Sequence, residues 1–585
     1  MFKQVLHRLP SYFKALRPEL NAQFLTVFVG YFLLSVVSFT LLELSNYPDQ
    51  PTLKFAAKMV MRSAQQAGFI VFLFGLFPMV GRKLHLILIC FLFPSLIINI
   101  GHFVLYESLI HPGALGAAFF ATVLEMSGYV RTFGPDVALA LAPTLLIFPI
   151  YWRFRFDRIG PHARRMALVI FIAMLSVQTI SSAVTASRSD NFLEKFASHM
   201  KRRAYECTFL FGNDATGIYT FGSEYYKFRK AREHMKDAAF DATVEEGAPE
   251  LAVIVIGESL TRSHLPFYGY ERNTMPKLAK WHETGDLLVF EDVIAVTNLT
   301  RLVLLRALTL ATHDDREPFY RGDSIVAAAR SAGYDTYWIS NAGMLTPHDT
   351  EHTALARQAD ETQMVNTDFR LKSLDGKLLP VFEKFLERPS KRKLIVLHTL
   401  GSHPKYDQRY SEEFAYYDDA ELPEGVPELN ERETRHFNQY DNTIRYTDDF
   451  LNTVLTRVRE QDANAMFLYF ADHGQDMFEP PDERMGHAHP KPSKYELEVP
   501  MFAWFSESYK AENPDAWRYL KDARSAPLST AYLFDTVVDM LRIESDDWAG
   551  DKSLVQPDPP VYDRHVISPD ENRVFIYEPD RMLYE

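Results

Sequence analysis

Hydrophobic positions are spread very unevenly along the chain. In the first third they form five long stretches, at 24–44, 64–80, 84–106, 137–152 and 166–184. A membrane-spanning helix needs about 17 to 25 mostly apolar residues, so the pattern predicts a five-helix transmembrane domain over 1–184, with the second and fourth spans near the short limit. Cations gather at alternate ends of these stretches: Lys3, Arg8, Lys14 and Arg17 before the first, Arg82 and Lys83 between the second and third, and Arg153, Arg155, Arg158, Arg164 and Arg165 between the fourth and fifth. All fall on one side of a five-span reading, and the excess of Lys and Arg marks that side as cytoplasmic. The N-terminus is then inside, the first stretch is an anchor rather than a cleaved signal, and everything after residue 184 lies outside. The loop at 115–130 mixes Phe119, Phe120, Leu124 and Met126 with Thr122 and Glu125, the composition of an amphipathic segment at the outer interface.

From 185 to 248 the pattern turns charged and helical, with Lys195, Lys201, Arg202, Arg203, Lys227, Arg229 and Lys230. It reads as a linker lying along the membrane surface, where cations meet anionic headgroups, and equally as a solvated helix face. Beyond 249 the pattern changes again. Leu251 begins an unbroken apolar run ended by Gly257, and similar runs recur at 336–340, 393–398, 466–470 and 499–505. Such runs belong to strands buried on both faces. Helical patterns lie between them, at 323–332, 378–386, 440–461 and 529–541. The alternation predicts an α/β sandwich with a largely parallel sheet over 249–585.

Ligands of such sheets bind beyond the carboxyl ends of the strands. Polar residues stand there: Glu258 after the first run, Ser340 and Asn341 after the second, His398 and then His403 after the third, Asp472 and His473 after the fourth. Charge removes one class of partner. The 585-residue chain carries a formal net charge of -14, whereas a nucleic-acid backbone calls for a basic face. Of its two cysteines, Cys90 sits inside an apolar run, which argues against a disulfide framework.

The sequence Asp472-His473-Gly474 after a buried strand offers a carboxylate and an imidazole around a turn, a pairing that suits zinc, and Glu258 offers a third ligand from another strand end. A hydroxyl becomes a good nucleophile when a metal lowers its pKa. Thr300 precedes a helical pattern at 301–312 and would stand at a helix N-terminus, where free amides receive a phosphate. Thr297 competes for that role, and Thr300 or Asn298 could instead serve as the helix cap. His403 and His487 could hold a second metal, or hold substrate phosphate and protonate a leaving alkoxide.

Several segments carry a family resemblance: VIGESLTRSHLPFYGY at 255–270 with Arg272, Asn273, Thr274 and Pro276; Thr300 with LRALT at 305–309; HTLGSH at 398–403; ADHG at 471–474; and VPMFAW at 499–504. Together they make the chain resemble the phosphoethanolamine transferases of the alkaline-phosphatase/sulfatase superfamily, which also have five spans followed by a periplasmic catalytic domain. The resemblance implies a multi-pass protein of the bacterial inner membrane that moves phosphoethanolamine from phosphatidylethanolamine to an envelope glycan or glycolipid (lipopolysaccharide core, lipid A or glucan) through a zinc-bound phosphothreonine. It places the zinc site on Glu258, Thr300, Asp472 and His473, with Thr300 as nucleophile, and the two additional histidines on His403 and His487. One zinc is expected and a second is possible. A membrane-proximal lipid motif matches Glu125 but reads Ala121-Thr122 where the family has Thr-Asn; Thr122, Glu125 and Asn341 are candidates for contact with the lipid. The chain departs from the family at Arg301, Leu302 and Val303, which are large where small residues are usual, and at Gln475, where Glu is frequent. A phosphoglycerol-type transferase or hydrolase of the same superfamily, or a metal-free membrane scaffold, remain the alternatives.

Overall fold

A computed structural model of the chain describes residues 209–342, 351–366, 372–479, 484–489, 491–569, 571, 573–578 and 581–584, with isolated helical positions before 209. The five apolar stretches fall almost wholly outside the described residues, as do Thr122 and Glu125. Among the described residues no helix is long and apolar enough to cross a membrane. The chain divides into two compact units, the second of which takes in Gly222–Glu585. Helix α1 spans Phe209–Met235.

The second unit is built on a seven-stranded sheet. In chain order its strands are β1 (Leu251–Gly257), β2 (Leu288–Phe290), β3 (Asp335–Ser340), β4 (Glu361–Met364), β5 (Lys393–His398), β6 (Ala465–Ala471) and β7 (Met501–Phe505). Their order across the sheet is β2-β7-β6-β1-β5-β3-β4. The five from β6 to β4 are parallel, and β7 runs antiparallel to both β6 and β2. Every residue of β1 and of β6 is buried, so both faces of the sheet are covered. That is why these strands read as continuous apolar runs rather than as alternating ones.

The covering helices include α2 (Pro276–Glu283), α3 (Thr300–Ala307), α4 (Ile325–Ser331), α5 (Leu379–Leu386), α6 (Glu431–Arg459) and α7 (Leu533–Met540). Helix α6 packs on α2 and β6, and α4 packs on α7 and β3. Helix α6 begins well before the apolar pattern at 440 would start it. Asn430 accepts from the amides of Arg432 and Glu433 while Glu433 accepts from the Asn430 amide, a reciprocal cap that extends the helix through a polar first turn. Ala242–Val244 pairs antiparallel with Ile543–Ser545, so the end of the linker is tied into this unit.

Candidate metal centre and nucleophile

The register of the parallel strands brings the first two ligands together. Gly257 of β1 lies opposite Ala471 of β6, so the next residues along, Glu258 and Asp472, leave the sheet side by side. The Ser259 amide donates to Asp472 Oδ1 at 3.0 Å and the His473 amide donates to the same oxygen at 2.7 Å. Asp472 Oδ2 is buried and has no hydrogen-bond partner among the described residues. On the neighbouring loop Gly401 has φ +43, and a Cβ there would come within 2.7 Å of the Glu258 carbonyl oxygen, so a side chain would push this loop off the rim.

His473 completes the triad, and its protonation pattern is set locally. Its Nδ1 lies 2.7 Å from the Gly474 carbonyl, which can only accept, so Nδ1 carries the proton. The other nitrogen, Nε2, lies 3.5 Å from both Glu258 Oε1 and Asp472 Oδ2. Glu258, Asp472 and His473 are all buried, each presenting a ligand atom within 4.8 Å of the others. Their electrostatics are those of a negatively overcharged pocket. Burial, and then the Asp472 carboxylate, push the Glu258 pKa up. Burial opposes charge on His473, but Asp472 and Glu258 outweigh it and hold that pKa above its ordinary value. Two buried carboxylates sharing one imidazole, with one carboxylate oxygen left unpartnered, fit a bound divalent cation, and the O and N donor set suits zinc.

Thr300 is the first residue of α3 and brings the fourth donor. Its Oγ1 lies 3.1 Å from Glu258 Oε2, 3.4 Å from Oε1 and 3.2 Å from His473 Nε2. Neither Thr300 nor Asn298 caps the helix. Leu299 occupies the cap position, with no side-chain hydrogen bond to the first-turn amides. The Leu302 and Val303 amides donate to the Leu299 carbonyl at 2.9 and 3.0 Å, which leaves the Thr300 and Arg301 amides at the start of the helix beside the threonine hydroxyl. Thr297 is fully buried, and its Oγ1 has no hydrogen-bond partner among the described residues. Of the bulky residues after Thr300, Leu302 and Val303 are fully buried in the core, and Arg301 pairs with Glu351 at 2.7 Å.

The two further histidines gather nearby. The His487 ring centroid is 4.4 Å from that of His473 and 6.5 Å from that of His403. Burial, then the neighbouring His473 and His403, hold the His487 pKa well below the usual range. Asn341 does not join this group. It is fully buried, its amide donating to Asp375 at 2.7 Å and its oxygen accepting from Ser373 at 2.6 Å. Asp375 in turn accepts from the Leu400 and Gly401 amides at 2.8 and 3.0 Å, so Asn341 supports the loop that leads to His403 rather than facing a lipid. Asp375 and Tyr406, which pairs with Gln475 behind His487, had no signal in the sequence: each acts through hydrogen bonds with no diagnostic spacing.

A largely parallel sheet with a carboxylate–imidazole cluster at its strand ends and a hydroxyl at a helix start defines a sulfatase-type fold. Residues 250–543, half of the chain, match the family described as Sulfatase, and the chain belongs to that family. It is similar to phosphoethanolamine transferase EptC of Escherichia coli strain K12, at 31% identity over 313 residues, 53% of this chain and 54% of that protein. The chain thus spans about half the length of the curated relatives it matches. The C-terminal periplasmic domain of E. coli EptC, solved in complex with Zn, superposes with a TM-score of 0.53 at 28% identity, covering 59% of this chain and 95% of that one. The integral membrane protein lipooligosaccharide phosphoethanolamine transferase A (EptA) of Neisseria meningitidis covers 91% of this chain and 97% of its own, with a TM-score of 0.63 at 20% identity; at that identity the likeness is one of fold.

Proposed function

We propose that the chain moves phosphoethanolamine from phosphatidylethanolamine to a hydroxyl or phosphate of an envelope glycan or glycolipid (lipopolysaccharide core, lipid A or glucan), through a phosphothreonine at Thr300. The observation that carries this reading is the Thr300 hydroxyl, held within 3.4 Å of both the buried Glu258 carboxylate and His473 Nε2 at the start of a helix with no side-chain cap. In the first half-reaction Thr300 Oγ1 attacks the donor phosphorus, the bond to the diacylglycerol oxygen breaks, and the Thr300 proton passes toward the Glu258 carboxylate. The α3 amides bind the phosphoryl oxygens in line with the helix dipole. His403 hands a proton to the departing alkoxide, whereas His487, neutral with its Nδ1 proton on Gln475, would offer its Nε2 as a ligand to a second metal ion. In the second half an acceptor oxygen takes the group and Thr300 is regenerated. A zinc ion held by Glu258, Thr300, Asp472 and His473 would lower the hydroxyl pKa and neutralise charge on the phosphate.

The same reading makes the first third a five-span inner-membrane anchor, N-terminus cytoplasmic, that keeps a periplasmic catalytic unit beside a donor confined to the bilayer. Support comes from the apolar stretches and their cationic flanks, and from the names of the relatives. The test uses phosphatidylethanolamine and phosphatidylglycerol, each labelled in the headgroup. Label from the ethanolamine lipid should become attached to Thr300 and vanish in Thr300→Ala, while mass spectrometry of envelope glycans and lipids names the acceptor. Label captured from the glycerol lipid alone would overturn the donor assignment.

A further inference from the structure

A second cluster of acids and imidazole, Asp476, His489 and Glu496, has the composition of a metal site and is equally buried. Its oxygens, however, are already engaged. Glu496 Oε1 accepts from Asn298 Nδ2 at 2.6 Å and from the His489 amide at 3.2 Å, and Oε2 accepts from the Ser493 amide at 2.8 Å and from Arg484 at 3.1 Å. Asp476 accepts from Arg484 and from Ser493. A carboxylate with this many donors is a hydrogen-bond hub rather than a vacant ligand.

What the hub joins is informative. Asn298 lies two residues before Thr300, and besides reaching Glu496 its amide donates to the His489 carbonyl at 3.0 Å. The main chain of Glu496 accepts from the Gly474 amide at 2.7 Å, directly after His473. His489 stands two residues after His487, on the same loop. Three separate segments, one bearing the hydroxyl, one the metal ligands and one the further histidine, are therefore tied to one residue that is itself fully buried.

We infer that Glu496 is a positioning residue: through Asn298 it fixes where Thr300 Oγ1 stands relative to Glu258 and His473, without touching substrate. The inference rests on the proposed transfer through Thr300. Against the cost of burial, His489 and Arg484 hold the Glu496 carboxylate below the usual range, down to about 2, so it is ionised and acts only as an acceptor. Reach is what makes such an anchor matter, since displacing a reacting atom by about 1 Å can cost about a hundredfold in rate.

The test compares Asn298→Asp, Glu496→Gln and the double variant in the full-length protein, reading label trapped on Thr300 against donor concentration, with zinc content and melting temperature measured alongside. Asn298→Asp sets two carboxylates against each other, whereas the double variant removes that repulsion and restores this one bond with its polarity reversed, the new amide at position 496 donating to the new carboxylate at position 298, while the donor to the His489 carbonyl stays lost and recovery is partial. Expected are a fall in trapping rate of about a hundredfold in Asn298→Asp at unchanged half-saturating donor and unchanged zinc, a smaller fall in Glu496→Gln, and recovery of at least tenfold in the double variant. If Asn298→Asp does not fold, Asn298→Ser, which removes the amide donor without adding charge, is read in its place. Folded, zinc-loaded single variants that trap label at the parent rate, or a double variant with no recovery, would overturn the inference. A parent protein that traps no label at all would instead sink the proposed transfer.

Discussion

Nδ1 of His487 lies 3.0 Å from Oε1 of Gln475. The Gln475 amide nitrogen donates to the Tyr406 hydroxyl, which donates in turn to Met477 Sδ. An amide oxygen can only accept, so the chain of donors fixes His487 with its proton on Nδ1 and its Nε2 bare. Replacing Gln475 by Leu removes the acceptor and frees the ring to take the other tautomer. Transfer is expected to fall by about 10- to 100-fold, the usual cost of losing the partner that orients a functional histidine. Initial rates of headgroup transfer check this, and a rate within twofold of the parent would show that the tautomer does not matter.

Asp472 tests the metal assignment without reference to the reaction. Its Oδ2 is the buried oxygen left without a partner. Asp472→Asn keeps the shape and the Oδ1 acceptor while cancelling the charge. Zinc per chain, measured by elemental analysis after dialysis, should drop from about one to near zero. The parent, not the variant, should also lose melting temperature on chelation, because a ligand bound only by the folded form stabilises it.

His264 is the group from which a pH dependence of stability follows. Its Nδ1 lies 2.7 Å from Asp441 Oδ1 and its Nε2 3.1 Å from Glu479 Oε1. Burial works against the charged ring, but the Asp441 and Glu479 carboxylates outweigh it and raise the pKa from 6.5 to about 9. A raised folded-state pKa gives stability that is fully present below the unfolded value and is lost as pH rises through the folded one. The window therefore runs from 6.5 to about 9, and the contribution at stake is about 3 kcal/mol. The melting temperature of the parent should fall across that range more steeply than that of His264→Gln. Parallel curves would refute the assignment.

Gly474 offers a steric test of the turn that carries the ligands. A Cβ there would lie 2.0 Å from the Tyr495 carbonyl oxygen and 3.3 Å from Thr261 Cα, both main-chain atoms that cannot rotate away. Gly474→Ala should destabilise the unit by about 1 to 3 kcal/mol and weaken zinc retention, as read by chemical denaturation and metal analysis.

Much of this was legible in the chain because burial on both faces writes a strong pattern. Strand β5 occupies the six residues of its apolar run at 393–398, and β1 and β6 match theirs to within a residue. The residues that escaped lacked that signal. Strand β4 reads Glu-Thr-Gln-Met and lies at the sheet edge, where little apolar surface is needed. The first turns of α6 are held by a cap rather than by a buried stripe. Within the site, Glu258, Asp472 and His473 were legible because each follows a buried strand, and Thr300 because a helical pattern follows it. The strand-end rule also brought Asn341 to the rim, yet it fixes only where a backbone emerges, and that side chain turns inward to Ser373 and Asp375. Gln475, Asp375 and Glu496 work through hydrogen bonds to partners far away in sequence, which no local spacing records.

Leaving Leu299 at the start of α3 has a thermodynamic corollary. A Ser, Asp or Asn at that position would typically secure the helix by about 1 kcal/mol, and the resting chain forgoes it. The proposed phosphoryl group on Thr300 would supply acceptors for the Thr300 and Arg301 amides, so the modified helix should be sturdier than the unmodified one. On the proposed mechanism the covalent adduct would be the state in which this corner of the protein is most completely folded.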